Sequence, residues 1–250
     1  MNKLCILLTS LLISTVSFAQ DAFDNQAAAA YHQPVFECWG SLKLASEVVP
    51  NLNINAQAVM RTNPMQAAFV GNYYYLQARY RFLKVLYPDV QIRIVDNHFS
   101  NLYRLEFGLQ LRKKIGAATL MYRTAYFNEY AYVSRTTDPT NPPNNYWRNR
   151  LGVKYDFSKK FDAYVSAETY TQFLPYATLI KREATIIGAD YNLKGNSILT
   201  LNYVNQPDFH KSTLVWLSAI CLGYEYDIPG FKKQKGHKQH KHDHTHGISV

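Results

Sequence analysis

Five closely spaced histidines near the C-terminal end are the residues best suited to metal chemistry. Imidazoles in such an arrangement bind Zn²⁺, Ni²⁺ or Cu²⁺. The surrounding residues 231–250 also hold five Lys and one Asp, and this polar composition predicts a disordered tail. We predict a solvated basic tail, with loose, unselective metal capture by its histidines as the alternative. The candidate ligands are His237, His240, His242, His244 and His246.

A weak pairing of a base with a nucleophile occurs at His98 and Ser100. A membrane-bound lipid hydrolase or acyltransferase needs such a pair near the membrane surface. His32 and His210 fall in polar segments, and the sequence contains no G-x-S-x-G motif. We therefore predict no catalytic residues and keep a lipid-modifying enzyme as an alternative hypothesis.

Arginine dominates the polar positions of the central part of the chain, where acidic residues are fewer. Rings of Arg and Lys select anions, so one interpretation is a narrow path or pocket for small anionic solutes. The other is a filled interior in which ion pairs hold the protein rigid, because buried charges need partners. The side chains predicted to line this interior are Arg79, Arg81, Arg93, Arg104, Glu106, Arg112, Arg123, Arg148, Arg150, Glu168, Arg182 and Asp190.

The elements that position these side chains are strands, because apolar and polar residues alternate with a period of two. In residues 102–112, Leu105 and Phe107 belong to one face, whereas Arg104 and Glu106 belong to the other. Short and long connections also alternate, which is typical of an antiparallel meander with two unlike ends. The same alternation is found in residues 39–47, where it is weak, and in residues 52–61, 70–82, 89–94, 118–126, 146–157, 161–172, 182–193, 197–203 and 212–226.

The chemistry of the two faces favours a barrel in a membrane over a sandwich in water. Arg dominates one face, and Tyr and Trp lie at the ends of the apolar face, as in the aromatic girdles of membrane barrels. Hydrophobic residues make up 47% of the chain and charged residues only 18%. We count about eleven candidate strands but predict ten or twelve, all antiparallel, because bacterial single-chain barrels close with an even number.

The N-terminus predicts export. Lys3 is followed by an apolar run and by a small-x-small pattern ending at Ala19, which together indicate a signal peptide at residues 1–19. We predict a leader at residues 20–34, a barrel at residues 35–230 in the outer membrane of a Gram-negative bacterium, and a periplasmic tail. The expected partners are outer-membrane lipid and the insertion machinery. We expect no nucleic-acid partner.

Cys38 and Cys221 lie on the predicted first and last strands, which barrel closure makes neighbours. Their positions in the alternation place them on opposite sides of the wall. We therefore expect no disulfide between them, although an exported protein meets an oxidising environment.

The segments at residues 148–173 and 182–204 resemble an uncharacterised family of bacterial proteins defined by a domain of unknown function. The matching features are Arg148 with Arg150, the turn at residues 155–160, the strand at residues 164–168, and Arg182 ahead of residues 188–191. Trp39 is similar to the family's early Trp, and the His-rich tail departs from the family pattern. The resemblance implies a small outer-membrane β-barrel and supplies no reaction.

Overall fold

The computed structural model describes residues 33–66, 68–97, 100–133, 144–174, 177–209 and 215–229. Within these ranges the chain forms eleven β-strands in succession. No helix long and apolar enough to cross a membrane is present among these residues. The strands are β1 (Gln33–Val49), β2 (Leu52–Asn63), β3 (Ala68–Tyr80), β4 (Leu86–Asn97), β5 (Ser100–Ile115), β6 (Ala118–Val133), β7 (Asn144–Asp156), β8 (Phe161–Leu174), β9 (Ala177–Asn192), β10 (Ser197–Asp208) and β11 (Val215–Ile228).

The strands close into one barrel in which each strand pairs with the next along the chain. The ten pairs from β1–β2 to β10–β11 are antiparallel, and β1 pairs with β11 in parallel to complete the wall. The predicted all-β, up-and-down barrel of about ten to twelve strands is therefore confirmed, although the eleven strands do not have the even number that we expected.

The closing pair differs from the sequence expectation that every pair is antiparallel. In a meander with an odd number of strands, the first and last strands run in the same direction. Their pairing must then be parallel, and odd closure of this kind is known among membrane barrels. The weak alternation at residues 39–47 proves to be part of β1, which starts earlier, at Gln33, and pairs along the whole length of β11.

Side chains alternate between the lumen and the outside, as strand geometry requires, apart from register shifts at Glu47/Val49, Arg61/Thr62 and Tyr170/Thr171. On β5, Phe107 is 51% exposed whereas its neighbour Glu106 has no exposed surface. Outward positions carry the large apolar residues, while inward positions carry charged, amide and aromatic residues. The outside of the barrel is therefore largely apolar, whereas the inside combines buried charged and amide side chains with an apolar and aromatic cluster that includes Trp39, Val59 and Val95.

The two ends of the barrel differ, as the connection lengths predicted. At the end we call the short-turn end, β5 and β6 are joined by only Gly116 and Ala117, and the φ of Gly116 is +62°, a value that favours glycine. The opposite end, called the long-loop end, includes the connections at residues 134–143 and 209–214. Two other connections at the long-loop end, at residues 98–99 and 175–176, are only two residues each, so the strict alternation of short and long connections is not kept.

Candidate functional site in the barrel lumen

Most of the arginines and acids predicted to line the interior lie on inward positions. Arg150 and Arg182 are half-buried there. Arg81 follows the last residue of β3 and is exposed at the short-turn end, where its Nη2 donates to Oδ1 of Asn51 at 2.6 Å. The remaining residues are buried, namely Arg79, Arg93, Arg104, Glu106, Arg112, Arg123, Arg148, Glu168 and Asp190.

A chain of ion pairs crosses the middle of the lumen from β6 to β8. Glu106 on β5 accepts from Arg123 at 2.6 Å and lies 3.4 Å from Arg148. Arg148 also contacts Glu168, whose second oxygen accepts from Arg150 at 2.6 Å. Each carboxylate therefore bonds two guanidinium groups, an arrangement that compensates the cost of burying these charges.

The chain of ion pairs continues from Arg123 to Asp89 on β4. The Nη2 of Arg123 lies 2.6 Å from Oδ1 of Asp89, which also accepts from Gln77 at 3.1 Å. Gly108 on β5 leaves the space for this contact, since a Cβ there would lie 2.7 Å from Arg123 Nη2 and 2.9 Å from both Asp89 oxygens. A side chain at this position would push the ion pair apart.

A second group of charges lies nearer the short-turn end. Lys154 on β7 lies 3.1 Å from both Asp162 and Asp190. Asp190 has no exposed surface and accepts a further hydrogen bond from Thr200 at 2.9 Å. These contacts join β7, β8, β9 and β10.

The parallel closure between β1 and β11 has charged contacts of its own. Glu37 accepts from Arg61 on β2 at 2.7 Å and from the indole of Trp39 at 2.6 Å. Lys43 lies directly opposite Glu225 across the parallel pair, at 3.1 Å. The Lys43–Glu225 ion pair thus bridges the seam where the sheet closes, whereas the Glu37–Arg61 pair joins β1 to β2.

Toward the long-loop end, arginines lie on aromatic rings. The Arg93 guanidinium is 4.2 Å from the centroid of Tyr73 and 4.9 Å from that of Tyr75. Arg104 lies 4.0 Å from the centroid of Phe127 and donates to Glu129 at 2.5 Å. Such stacking stabilises a cation through the face of the ring and leaves the in-plane N–H groups for other partners.

Nε of Arg79, near the short-turn end, and Nε of Arg93 are buried and have no hydrogen-bond partner among the described residues. A buried N–H donor without a hydrogen-bond partner lowers the stability of the folded protein, and such donors are rare in folded proteins.

The sequence analysis missed several members of this site that share the inward face. Asp89 alternates with Gln91 and Arg93, and Glu129 follows Arg123 at an even spacing, so the period of two was a sufficient signal for both acids. Other inward residues that we did not single out are Glu37, Trp39, Arg61, Phe127, Lys154, Asp162 and Tyr170.

Side chains fill the centre of the described lumen. Glu106 and Asp190 have no exposed surface, and Glu168 and Arg148 retain only 1% and 2%. A water-filled channel through the barrel would wet the charged groups at its centre. Among the described residues, these contacts therefore neutralise the charges at the centre and cross-link the strands.

Cys38 and Cys221 are neighbours across the closing pair but are not bonded. Cys38 pairs with Ile220, and Cys221 pairs with the inward-facing Trp39. Both thiols are free, with Cys221 buried and Cys38 half-buried. This agrees with the expectation that they lie on opposite faces of the wall.

The predicted signal peptide and the residues suggested for catalysis or metal capture lie outside the described residues or have undescribed side chains. They include His98, Ser100 and the tail histidines. Within the described ranges, no group of three or more His, Cys, Asp or Glu side chains is placed to hold a metal ion. The hypotheses about a lipid-modifying enzyme and a metal-binding tail stay predictions.

No protein-family model matches the chain, and a search of curated proteins finds no match. The resemblance to a family of small outer-membrane barrels therefore stays a prediction from the sequence, and the function has to be argued from the geometry of the barrel.

Proposed function

We propose that this chain is an outer-membrane β-barrel of the structural, non-conducting type. The observation that carries the proposal is the contrast across the wall, where Phe107 is 51% exposed and the adjacent Glu106 is fully buried in ion pairs. The apolar wall would contact lipid, and the charged lumen would hold the strands together.

The outward face supports a lipid environment. Leu105, Phe107, Leu109 and Leu111 form an unbroken exposed row on β5, between 37% and 51% exposed. Soluble monomers rarely expose contiguous apolar patches larger than a few hundred Å². The strands span 12 to 17 residues, which exceeds the roughly 9 to 11 that a tilted strand needs to cross a bilayer.

Aromatic residues at the strand ends support the same environment. Tyr155 and Tyr191 are exposed near the short-turn end, at 45% and 44%, and Tyr103 and Trp147 are exposed toward the long-loop end, at 42% and 39%. Two belts of amphipathic rings are expected where a barrel meets the lipid headgroups. β11 ends with Tyr224 and Tyr226 facing outward, as we expect of a last strand recognised by insertion machinery.

The orientation follows from the same convention. Short turns of bacterial barrels face the periplasm. β11 ends at the short-turn end, so this orientation would direct the tail into the periplasm, whereas β1 begins at the opposite end.

The filled centre favours a structural barrel over a narrow anion pore. Ions would have to pass Arg148 and Glu168, which contact each other and have almost no exposed surface. Arginine excess alone does not make a channel, because the guanidinium groups at the centre bond carboxylates.

Bilayer recording of the full-length protein tests the proposal. We expect the wild type to partition into lipid vesicles and to give no steady single-channel currents. As a positive control, the double variant Arg148→Ser with Glu168→Ser removes both partners of the central pair and should conduct. Water entering the gap can solvate Arg150, which already has a 15% exposed side chain.

The non-conducting lumen and the lipid-facing wall are contradicted by different results. Steady currents from the wild type would show that the lumen is open. Wild-type protein that stays folded without detergent and does not enter vesicles would show that the apolar wall does not face lipid.

A further inference from the structure

The outer wall carries polar side chains on one side of the barrel, at a common level on four neighbouring strands. Each of them faces outward, because the residues before and after it in the chain face the lumen. They lie seven to nine positions from the ends of their strands at the short-turn end. This outer polar patch consists of Asn149 on β7, Thr169 on β8, Thr185 and Glu183 on β9, and Asn205 on β10.

The other side of the wall is mostly apolar at the same level. The outward residues eight positions from the short-turn end are Met60 on β2, Ile94 on β4, Phe107 on β5 and Ile220 on β11, whereas Asn72 on β3 is an isolated polar residue. A tilted strand crosses the hydrocarbon in roughly 9 to 11 residues, so this level lies within the bilayer that we propose. Polar and ionisable side chains at such depth are costly next to lipid and mark contacts with protein.

The wall itself satisfies only one end of the Asn149 amide. Its Oδ1 accepts hydrogen bonds from the hydroxyls of Thr124 at 2.9 Å and Tyr122 at 3.0 Å. It also accepts from the indole N–H of Trp147 at 3.2 Å. An indole can only donate, which fixes the oxygen as the end that faces these groups. The N–H groups of Asn149 therefore remain without a partner among the described residues.

Glu183 supplies the matching acceptor. Among the described residues it has no ion pair or hydrogen bond, and no charged group acts on it. It is half-buried on the wall, and Thr169 separates it from Asn149, because Asn149 pairs with Thr169 and Thr169 pairs with Glu183. The patch thus has donors without partners on β7 and an acceptor without partners on β9, on either side of β8.

A second copy of the chain brings these groups together. Two barrels inserted in the same direction can be related by a two-fold axis along the membrane normal. If the axis passes by β8, then β7 of each copy faces β9 of the other. Asn149 and Thr185 both lie seven positions from the short-turn end, so the Asn149 amide would meet Thr185 of the second copy and, two positions further along, its Glu183. Thr169 would meet its own equivalent at the axis.

We propose that the outer polar patch is the contact surface of a homodimer in the membrane, with β8 at the two-fold axis. A second copy is the occupant because the donors and the acceptor lie on opposite sides of β8, so that the patch is complementary to itself under this rotation. The inference rests on the membrane barrel proposed above, since a common direction of insertion fixes the axis.

Disulfide cross-linking of the full-length protein in lipid vesicles tests the position of the axis. In a background with Cys38→Ser and Cys221→Ser, Thr169→Cys places a thiol at the axis. Met60→Cys is the matched control, because it places a more exposed thiol at the same level on β2, across the barrel. With a mild oxidant, we expect Thr169→Cys to form a linked dimer at least about tenfold faster, because the contact raises the local concentration of thiols.

Energy transfer between labelled copies in vesicles measures the association itself. The double variant Asn149→Leu with Glu183→Leu removes the donors and the acceptor from both sides of the axis. It should weaken the dimer by at least about tenfold, since hydrogen bonds to a charged group are lost twice per dimer. Asn205→Leu removes an outward amide at the same level but two strands from the axis, and should change the affinity by less than about threefold.

These variants replace polar by apolar side chains on a wall that faces lipid, so we expect them to fold, and circular dichroism checks this. If the double variant does not fold, Glu183→Leu alone should still weaken the dimer by at least about threefold.

Three results would overturn the dimer and leave the membrane barrel intact, provided that the protein stays in the vesicles. They are equal cross-linking rates of Thr169→Cys and Met60→Cys, an unchanged affinity in the double variant, and an equal loss in Asn205→Leu. Protein that does not enter vesicles would contradict the membrane barrel and the dimer together.

Discussion

Replacing Glu106 by Gln tests whether the central ion pairs stabilise the barrel. Glu106 has no exposed surface and lies between Arg123 at 2.6 Å and Arg148 at 3.4 Å. Gln has nearly the same shape, so the change removes charge with little change in packing. Two buried guanidinium groups then lose a carboxylate that they share.

The expected cost follows from the burial of the pair. Breaking a buried ion pair by removing one partner costs about 3–5 kcal/mol, because the other charge stays buried without compensation. Asp89 and Glu168 still bond Arg123 and Arg148, so we expect the lower half of that range, about 3 kcal/mol. This corresponds to roughly a hundredfold loss in the ratio of folded to unfolded protein.

Asp156→Asn provides the matched control. Asp156 pairs with Lys114 at 2.5 Å, but the two side chains are 33% and 55% exposed. An exposed pair of this kind contributes about 0–1 kcal/mol. The free energies of unfolding of the wild type and both variants can be measured by urea titration in the same detergent or lipid. Equal losses in the two variants, or no loss in Glu106→Gln, would refute the argument that the core pairs hold the lumen together.

Three other substitutions or measurements test the wall and the packing. Gly108→Ala should cost about 1–3 kcal/mol of unfolding free energy by overpacking, whereas Gly40→Ala, with no atom within 4 Å of a new Cβ, should change it by less than about 0.5 kcal/mol. Mass spectrometry of the unreduced protein should find no linked Cys38 and Cys221 peptides, and a linked pair would contradict the register of β1 on β11. Phe107→Arg, at mid-strand, should cost about 2–4 kcal/mol in a bilayer, and a near-zero cost would indicate that this face meets water.

Local sequence pattern was enough to predict the faces of the strands. The alternation of Leu105 and Phe107 with Arg104 and Glu106 reappears without a shift in β5. This works because the side-chain period of a strand is two, so one clearly charged face fixes the other. The same rule places Asp89 and Glu129 inside, although we did not select them from the sequence.

The partners of the inward residues could not be predicted in the same way. Glu37 meets Arg61 and Lys43 meets Glu225 only because β1 contacts β2 in one register and β11 in another. Those registers depend on how the whole sheet closes. We counted about eleven candidate strands, but the even-number rule for bacterial barrels predicts an antiparallel closing pair. The parallel pairing of β1 with β11 follows from the odd number of strands and cannot be predicted from any single segment.

The inward charges also explain how the barrel selects one register. On the lipid-facing wall that we propose, sliding one apolar strand past another would exchange similar contacts, so the apolar face would specify position weakly. A slip of one residue, however, would turn Arg123 outward into the apolar face and separate it from Asp89 on β4 and Glu106 on β5. Since Gly108 leaves space for this contact at one position, the three strands fit together in a single alignment. The ion pairs of the lumen therefore specify how β4, β5 and β6 align.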